Sequence, residues 1–306
     1  MKKILSGVLV ALLIVAVLPV NAFAFGGYAH WDIADRAVDA NNISTSNNYA
    51  TAYMSGCLLA DIGKYSWDNN YTGSDTSKFA NKMMEIEAPN TQGTYFARGW
   101  LSHVYQDTNG NVGTILNDGD SYRVNCGQID EYLRDDLEID CPINGTANLY
   151  VVYEMIRDTY AALDNFSPTN AQIDTQIENM YFLYHAQIAL NFSGMSEAQI
   201  DRMNDQFDDL AENCYSTEVS RSISANQNAV LSSMDLIQRE RNNPDKREAL
   251  KSIEESAKQY AHLETVSEEN GVAELRFVIT DPEAYQALAE QHANLIMKDT
   301  EFDIAK

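Results

Sequence analysis

The chain has 306 residues, of which 45% are apolar and 22% are charged; these values are typical of globular proteins and exclude wholesale disorder. The 15 glycines and 6 prolines are too few for a collagen-like or linker-dominated chain. With 45 acidic against 21 basic side chains, the net charge is −24, which disfavours a nucleic-acid-binding groove and is compatible with a site for a cation. The length predicts one or two domains.

The first 24 residues have the pattern of a signal peptide. Lys2 and Lys3 precede an apolar run at 4–20, and the tripeptide at 22–24, Ala-Phe-Ala, is a small–x–small cleavage motif. Cleavage is predicted after Ala24, with Ala22 as the alternative. We therefore expect a secreted or extracytoplasmic protein without a transmembrane anchor after processing, since no later run is long and apolar enough to span a bilayer.

The segments that follow have a helical period in their apolar residues. Polar loops are predicted between them at 67–78, 108–120 and 164–169. The predicted helices are 29–38, 48–59, 94–106, 149–163 and 174–189.

The C-terminal segment has a different pattern. The sequence Asn-Asn-Pro-Asp at 242–245 ends one helix and begins another, and a charged helix to about Val266, a turn at Gly271, a strand at 272–280 and a last helix at 282–297 follow. The sequence thus predicts a mostly helical domain at 25–243 and a small α/β appendage at 244–306.

Four cysteines remain after export. In an oxidising compartment an even number predicts up to two disulfides, with three possible pairings, and buried thiols are the alternative. The cysteine spacings lack the CxxC pair that is typical of a thiolate zinc site. The four are Cys57, Cys126, Cys141 and Cys214.

Several histidines and acids are candidates for metal binding. His103 and Asp107 are four residues apart, so they share one helix face, and imidazole and carboxylate are zinc ligands. His30 lies five residues after Phe25, whose α-amine becomes a possible ligand once the signal peptide is removed. Asp61 ends a helix, where a negative charge opposes the macrodipole and needs a compensating cation.

Two further residues could be metal ligands or could have structural roles. Glu154 lies in an apolar predicted helix, where a carboxylate needs an arginine or a metal as its partner. His185 is either a hydrogen-bonded core residue or a further ligand. His262 and His292 lie in the charged C-terminal segment and are assigned no role.

In combination these motifs resemble the zinc-dependent phospholipase C superfamily, which includes single-strand-specific zinc nucleases. The matching segments begin at Phe25 (FGGYAHWDIADRAVD), Gly56 (GCLLAD), Gly99 (GWLSHVYQD) and Tyr150 (YVVYEMIRDT), and they lie within residues 25–166. The resemblance implies a phospholipase C-like multi-helix fold. It also implies zinc ligands at Phe25, His30, Asp61, His103, Asp107 and Glu154.

Three histidines of the family pattern are missing from this chain. Asp75 stands in the region of one, no histidine follows Asp107 in the loop after it, and Tyr150 stands where another begins the H-x-x-x-E pair. We therefore expect fewer than three zinc ions. One position would use Phe25, His30 and Asp107, and another would use Asp61, His103 and Asp107.

The function expected from this resemblance is hydrolysis of phosphate esters by metal-activated water. A phospholipid headgroup is the favoured substrate because the acidic composition disfavours nucleic acid, and Asp61 is expected to orient or deprotonate the water. The alternatives are a nuclease-type phosphodiesterase and a degenerate, non-catalytic secreted protein with a metal-binding or structural role. The sequence indicates no oligomeric state.

Overall fold

Helices make up most of the described chain. A computed structural model describes residues 25–116, 126–190, 194–216 and 236–298; the predicted signal peptide lies outside these ranges. The predicted mostly helical architecture is confirmed. Within the described residues, no helix has the length and apolar character needed to cross a membrane.

Helices lie at or near the positions predicted at 29–38, 48–59, 94–106, 149–163, 174–189 and 282–297, and further helices lie where the sequence predicts none. Asn90 caps α4, and Thr169 forms a capping box at the start of α8, so polar side chains satisfy the first amides of these helices. The helices are α1 (Gly27–Ala40), α2 (Tyr49–Leu59), α3 (Ser77–Glu85), α4 (Thr91–Asn109), α5 (Val112–Leu116), α6 (Gly127–Glu131), α7 (Tyr153–Asp164), α8 (Asn170–Ile188), α9 (Glu197–Asn213), α10 (Leu236–Arg241), α11 (Pro244–Ala257) and α12 (Pro282–Met297).

A three-stranded antiparallel sheet accompanies the helices. Its strands are β1 (Leu149–Val151), β2 (Ala261–Glu269) and β3 (Val272–Ile279), in the spatial order β1-β3-β2. Leu149 pairs with Leu275, so β1 from the middle of the chain completes a sheet whose other strands are C-terminal. The segment at 244–298 therefore shares its sheet with the part of the chain predicted as the helical domain.

Two predicted helices have different bounds in the structure, and α5 lies within the loop predicted at 108–120. Residues 149–151 are strand rather than helix, because Tyr150 and its neighbours pair with β3 before α7 begins. The predicted helix to about Val266 ends at Ala257, and β2 follows. The cause is the turn at Asn270-Gly271: both residues have positive φ, 53° and 80°, as a tight hairpin turn requires.

Helices α2 and α4 form the most closely packed pair. A Cβ on Gly56 would lie 2.0 Å from the carbonyl oxygen of Phe96, and one on Gly99 would lie 1.8 Å from that of Tyr53. The two backbones therefore touch at glycines on both helices. This contact brings the C-terminal end of α2 next to the face of α4 that bears His103 and Asp107.

Candidate metal centre

Three segments bring four of the predicted ligands together. Asp61 lies in the 3-10 turn Ala60–Gly63 that directly follows α2. His103 and Asp107 lie on α4, and His30 lies on α1. All four side chains are buried, with 0% exposure for His30, Asp61 and His103 and 2% for Asp107.

The start of α1 is held in place by Asp130. The Ala29 amide donates to Asp130 Oδ1 at 3.0 Å, so the carboxylate satisfies one of the unpaired amides of this helix end. A Cβ on Gly26 would lie 2.1 Å from Asp130 Oδ2, which means that only glycine fits there. Burial raises the pKa of Asp130 to about 7. These contacts fix the position of His30.

Asp107 lies at the middle of the cluster and uses both oxygens. Its Oδ2 is 3.4 Å from His103 Nε2, and its Oδ1 is 3.1 Å from His30 Nε2. The backbone amide of Phe25 also donates to Oδ1, at 3.1 Å. One carboxylate thus faces both of the ligand sets that the sequence predicts.

The contacts of His103 differ from ordinary hydrogen bonds. Its Nε2 is 3.3 Å from Asp61 Oδ1 and 3.4 Å from Asp107 Oδ2, yet neither ring nitrogen makes a hydrogen bond to any described residue. The ligand atoms of Asp61, His103 and Asp107 all lie within 4.8 Å of one another. Buried polar atoms without partners are costly, and this convergent group can hold a metal ion.

The imidazoles and carboxylates of the cluster shift one another's pKa values in the direction that favours the charged forms. Burial opposes ionisation of His103, but Asp61 and Asp107 outweigh it and hold the pKa of His103 well above its usual value. Burial and His103 lower the pKa of His30, yet Asp107 raises it to about 9. Burial opposes ionisation of Asp107, but the imidazoles of His30 and His103 outweigh it and hold the pKa of Asp107 well below its usual range. Lys64 and His103 likewise outweigh burial and lower the pKa of Asp61.

Two residues that sequence reasoning missed hold the other oxygen of Asp61. The Tyr184 hydroxyl donates to Asp61 Oδ2 at 2.7 Å, and Lys64 Nζ lies 3.3 Å from the same oxygen. The i,i+3 spacing of Asp61 and Lys64 is a signal that could have been found, since such residues are neighbours in a helical turn. The sequence around Asp61 gives no signal for its contact with Tyr184, because Tyr184 lies on α8, far from Asp61 in the chain.

Asp75 also belongs to the surroundings of the cluster. It is half-buried, and burial together with the charge of Asp61 raises its pKa to about 6, while Lys64 and His103 act in the opposite direction. The loop is fixed by its neighbour Ser74, which accepts from the Gly63 amide at 2.9 Å and donates to the Ala60 carbonyl at 2.6 Å. A carboxylate therefore lies near the cluster in the region where the sequence pattern lacks a histidine.

The expectation that Glu154 needs an arginine or a metal ion as its partner gains no support from the structure. Its side chain is exposed, because α7 begins at Tyr153 and Glu154 occupies the first turn, where a negative charge is favourable. It needs no metal there, and it belongs to neither of the ligand groups among the described residues. His185 is a hydrogen-bonded core residue, with Nε2 3.1 Å from the Ile143 carbonyl oxygen.

The cysteines do not form the expected disulfides: all four side chains are buried thiols. Each lies in a different environment. Cys57 contacts the His30 carbonyl at 3.6 Å, Cys126 contacts Gln187, and Cys214 lies 3.4 Å from the Tyr53 hydroxyl. The alternative expectation of buried thiols therefore describes the four cysteines.

Comparisons with known proteins add little to the site. No protein-family model matches the chain, and no solved structure matches it. An uncharacterized protein of Archaeoglobus fulgidus is 33% identical over 112 residues, which cover 35% of this chain and 31% of that protein. The chain thus spans about a third of the length of the curated relative that it matches.

Proposed function

We propose that this protein is a zinc-dependent hydrolase of phosphate esters, similar to phospholipase C, with Asp61, His103 and Asp107 as zinc ligands. The spacing of the ligand atoms carries the proposal. Zinc binds nitrogen and oxygen ligands at about 2.0–2.1 Å, so neighbouring ligands of a tetrahedral ion lie about 3.3–3.4 Å apart. The distances from His103 Nε2 to the two carboxylates, 3.3 and 3.4 Å, agree with that spacing.

A second zinc position would use Asp107 as a bridge. Its Oδ1 lies 3.1 Å from His30 Nε2 and accepts from the nitrogen of Phe25. In the full-length chain this nitrogen is an amide, which is not a ligand at neutral pH. Removal of the predicted signal peptide after Ala24 would convert it into an amine that can bind zinc.

The proposed chemistry is activation of water and neutralisation of the phosphoryl charge. A bound zinc ion lowers the pKa of a coordinated water and polarises phosphoryl oxygens. Tyr184 and Lys64 fix Asp61 Oδ2, so Oδ1 is directed at the ligand position, where Asp61 would hold the zinc ion and orient or deprotonate the water.

The favoured substrate is a phospholipid headgroup ester. The net charge of −24 repels a polyanionic strand beyond the immediate site, whereas a single phosphodiester needs only the local positive charge of zinc and Lys64. Single-stranded nucleic acid is the substrate of the nuclease-type alternative.

One observation favours a second candidate, a structural metal centre in a non-catalytic protein. The four convergent side chains are 0–2% exposed, which leaves little access for a substrate, whereas a catalytic zinc site keeps one coordination position open for water or substrate. The two candidates differ in whether bound metal is accompanied by hydrolysis.

The decisive experiment combines metal analysis with an activity assay. Protein beginning at Phe25 is analysed for zinc and assayed for water-soluble phosphate released from phosphatidylcholine vesicles, with and without a chelator, and for cleavage of single-stranded DNA. We expect two zinc ions per chain and chelator-sensitive release from the vesicles. Asp107→Asn should weaken zinc binding more than about 100-fold, beyond the effect of losing an outer partner.

Glu154→Gln is the matched control, because Glu154 is an exposed acid outside the cluster; it should retain both zinc and activity. Activity that survives the chelator would contradict the zinc mechanism. Bound zinc without hydrolysis of either substrate would instead support the structural candidate.

A further inference from the structure

Cys57 lies beside the carboxylate cluster in a different set of potential ligands. One ligand atom each of His30, Cys57 and His103 lies within 4.8 Å of the other two. All three residues are completely buried. The rings of His30 and His103 are tilted by 31° with their centroids 3.9 Å apart, so the two imidazoles flank a common space.

The sulphur of Cys57 has weak partners in this arrangement. Its thiol lies 3.6 Å from the His30 carbonyl oxygen and accepts from Gln106 Nε2 at 3.3 Å. Thiols are weak donors and acceptors, so these contacts stabilise the sulphur little. Gln106 Oε1 lies 2.7 Å from His30 Nδ1, and this one amide therefore keeps the sulphur and the imidazole adjacent.

His103 supplies a second, independent observation. Both its ring nitrogens lack hydrogen-bond partners in the part of the chain that the structure describes, and the side chain is 0% exposed. The two nitrogens of an imidazole are on different edges of the ring. The carboxylates of Asp61 and Asp107 lie near Nε2 only, which leaves Nδ1 unexplained by the carboxylate centre.

We propose that His30, Cys57 and His103 form a further metal position with a thiolate ligand, which shares His103 with the carboxylate centre and His30 with the second zinc position. Two imidazoles and a thiolate are a softer ligand set than one imidazole with two carboxylates. On binding, the S–H bond of Cys57 breaks, a sulphur–metal bond forms and the proton leaves to solvent. The inference concerns coordination alone and holds whether or not the carboxylate centre hydrolyses phosphate esters.

Cobalt(II) is the probe that tests this position. The reduced, metal-free full-length protein is titrated with Co²⁺ and its absorption spectrum is recorded. We expect visible d–d bands from bound cobalt together with a near-ultraviolet thiolate-to-cobalt charge-transfer band. Cys57→Ser should lose the charge-transfer band and retain visible bands from cobalt on the carboxylate centre. Asp107→Asn should retain the charge-transfer band.

Cys214→Ser is the matched control. Cys214 is another buried thiol, 2% exposed and in contact with the Tyr53 hydroxyl, and its substitution should leave the charge-transfer band unchanged. X-ray absorption of the wild-type cobalt protein tests the inference without any variant, and should show a metal–sulphur shell at about 2.3 Å.

Three results would overturn the inference: no charge-transfer band in the wild type, a band that survives Cys57→Ser, or no sulphur shell around the cobalt. The readout is separate from that of the hydrolase proposal. A protein that binds cobalt through Cys57 but hydrolyses no phosphate ester would refute the enzyme and leave this position standing.

Discussion

The nitrogen of Phe25 lies 3.1 Å from Asp107 Oδ1. Whether this nitrogen is an amide or a free α-amine decides whether it can bind zinc. An α-amine has a reference pKa of about 8, low enough for zinc to displace its proton at neutral pH. We therefore expect protein beginning at Phe25 to bind one more zinc ion than protein with a single additional N-terminal Met. Zinc stoichiometry by elemental analysis is the measurement, and equal values in both forms would refute this role for the terminus.

The buried His185, which lies outside the cluster, should make the stability of the protein depend on pH. Burial lowers its pKa to about 4, despite the Ile143 carbonyl, and Arg134 lowers it further while Asp135 opposes. The unfolded value is about 6.5, so the folded protein binds fewer protons between these values. The lowered pKa of His185 therefore makes the folded protein more stable by about 3 kcal/mol above about pH 6.5 than at low pH. This stabilisation is lost as the pH falls towards 4.

Substitution of His185 should therefore flatten the acid side of the stability profile. His185→Gln retains a side-chain donor for the Ile143 carbonyl but does not titrate, and urea denaturation between pH 4 and pH 7 measures the change in slope. His262→Gln is the control, because the His262 side chain is 45% exposed. A slope unchanged by His185→Gln would show that other groups cause the acid sensitivity.

Among elements, the contact of α2 with α4 places the candidate ligands. Gly99→Ala would gain about 1 kcal/mol of helix propensity, but its Cβ would lie 1.8 Å from the Tyr53 carbonyl oxygen. Because that atom belongs to a packed backbone, the helices must separate, at a cost of about 1–3 kcal/mol. We expect net destabilisation in urea denaturation and weaker zinc binding.

Gly194→Ala serves as the control for this substitution, since no described atom lies within 4 Å of the added Cβ. Its effect on stability should stay within about 0.5 kcal/mol. Equal stabilities of the two variants would contradict the close approach of α2 and α4.

At the scale of the whole molecule, a buried ion pair ties the C-terminal helices to the earlier part of the chain. Glu254 on α11 accepts from Arg241 Nε at 3.0 Å and Nη2 at 2.8 Å, and from Trp67 Nε1 at 2.6 Å. His292, which the sequence assigned no role, lies 3.1 Å from Glu254 Oε1. With the β1–β3 pairing, these contacts join residues 244–298 to the part before them.

Loss of this ion pair should destabilise the entire protein. Glu254→Ala leaves the buried guanidinium of Arg241 uncompensated, which costs about 3–5 kcal/mol, and thermal unfolding should remain a single transition at a lower Tm. Glu255→Ala is the adjacent control, since the Glu255 side chain is 69% exposed. A separate early transition in Glu254→Ala, with the main transition unchanged, would instead support an independent appendage at 244–306.

Features that depend on local periodicity could be predicted from the amino-acid sequence. The apolar spacing identified α1, α2, α4 and α8, and the i,i+4 spacing of His103 and Asp107 placed both on one helix face, because the geometry of a helical turn depends only on neighbours in the chain. The NG dipeptide at 270–271 also carries a hairpin signal, although the pattern before it predicts a helix to about Val266, which overlaps the first part of β2.

Which side chains meet at the cluster depends on how the helices pack. Tyr184 and Cys57 join the surroundings of Asp61 and His103 through the packing of α2, α4 and α8, and Glu154 lies outside the cluster because β1 delays the start of α7. These contacts join residues far apart in the chain; Tyr184 and Asp61 are 123 positions apart. Such pairs leave no periodic trace in the sequence, since their proximity depends on how whole helices pack.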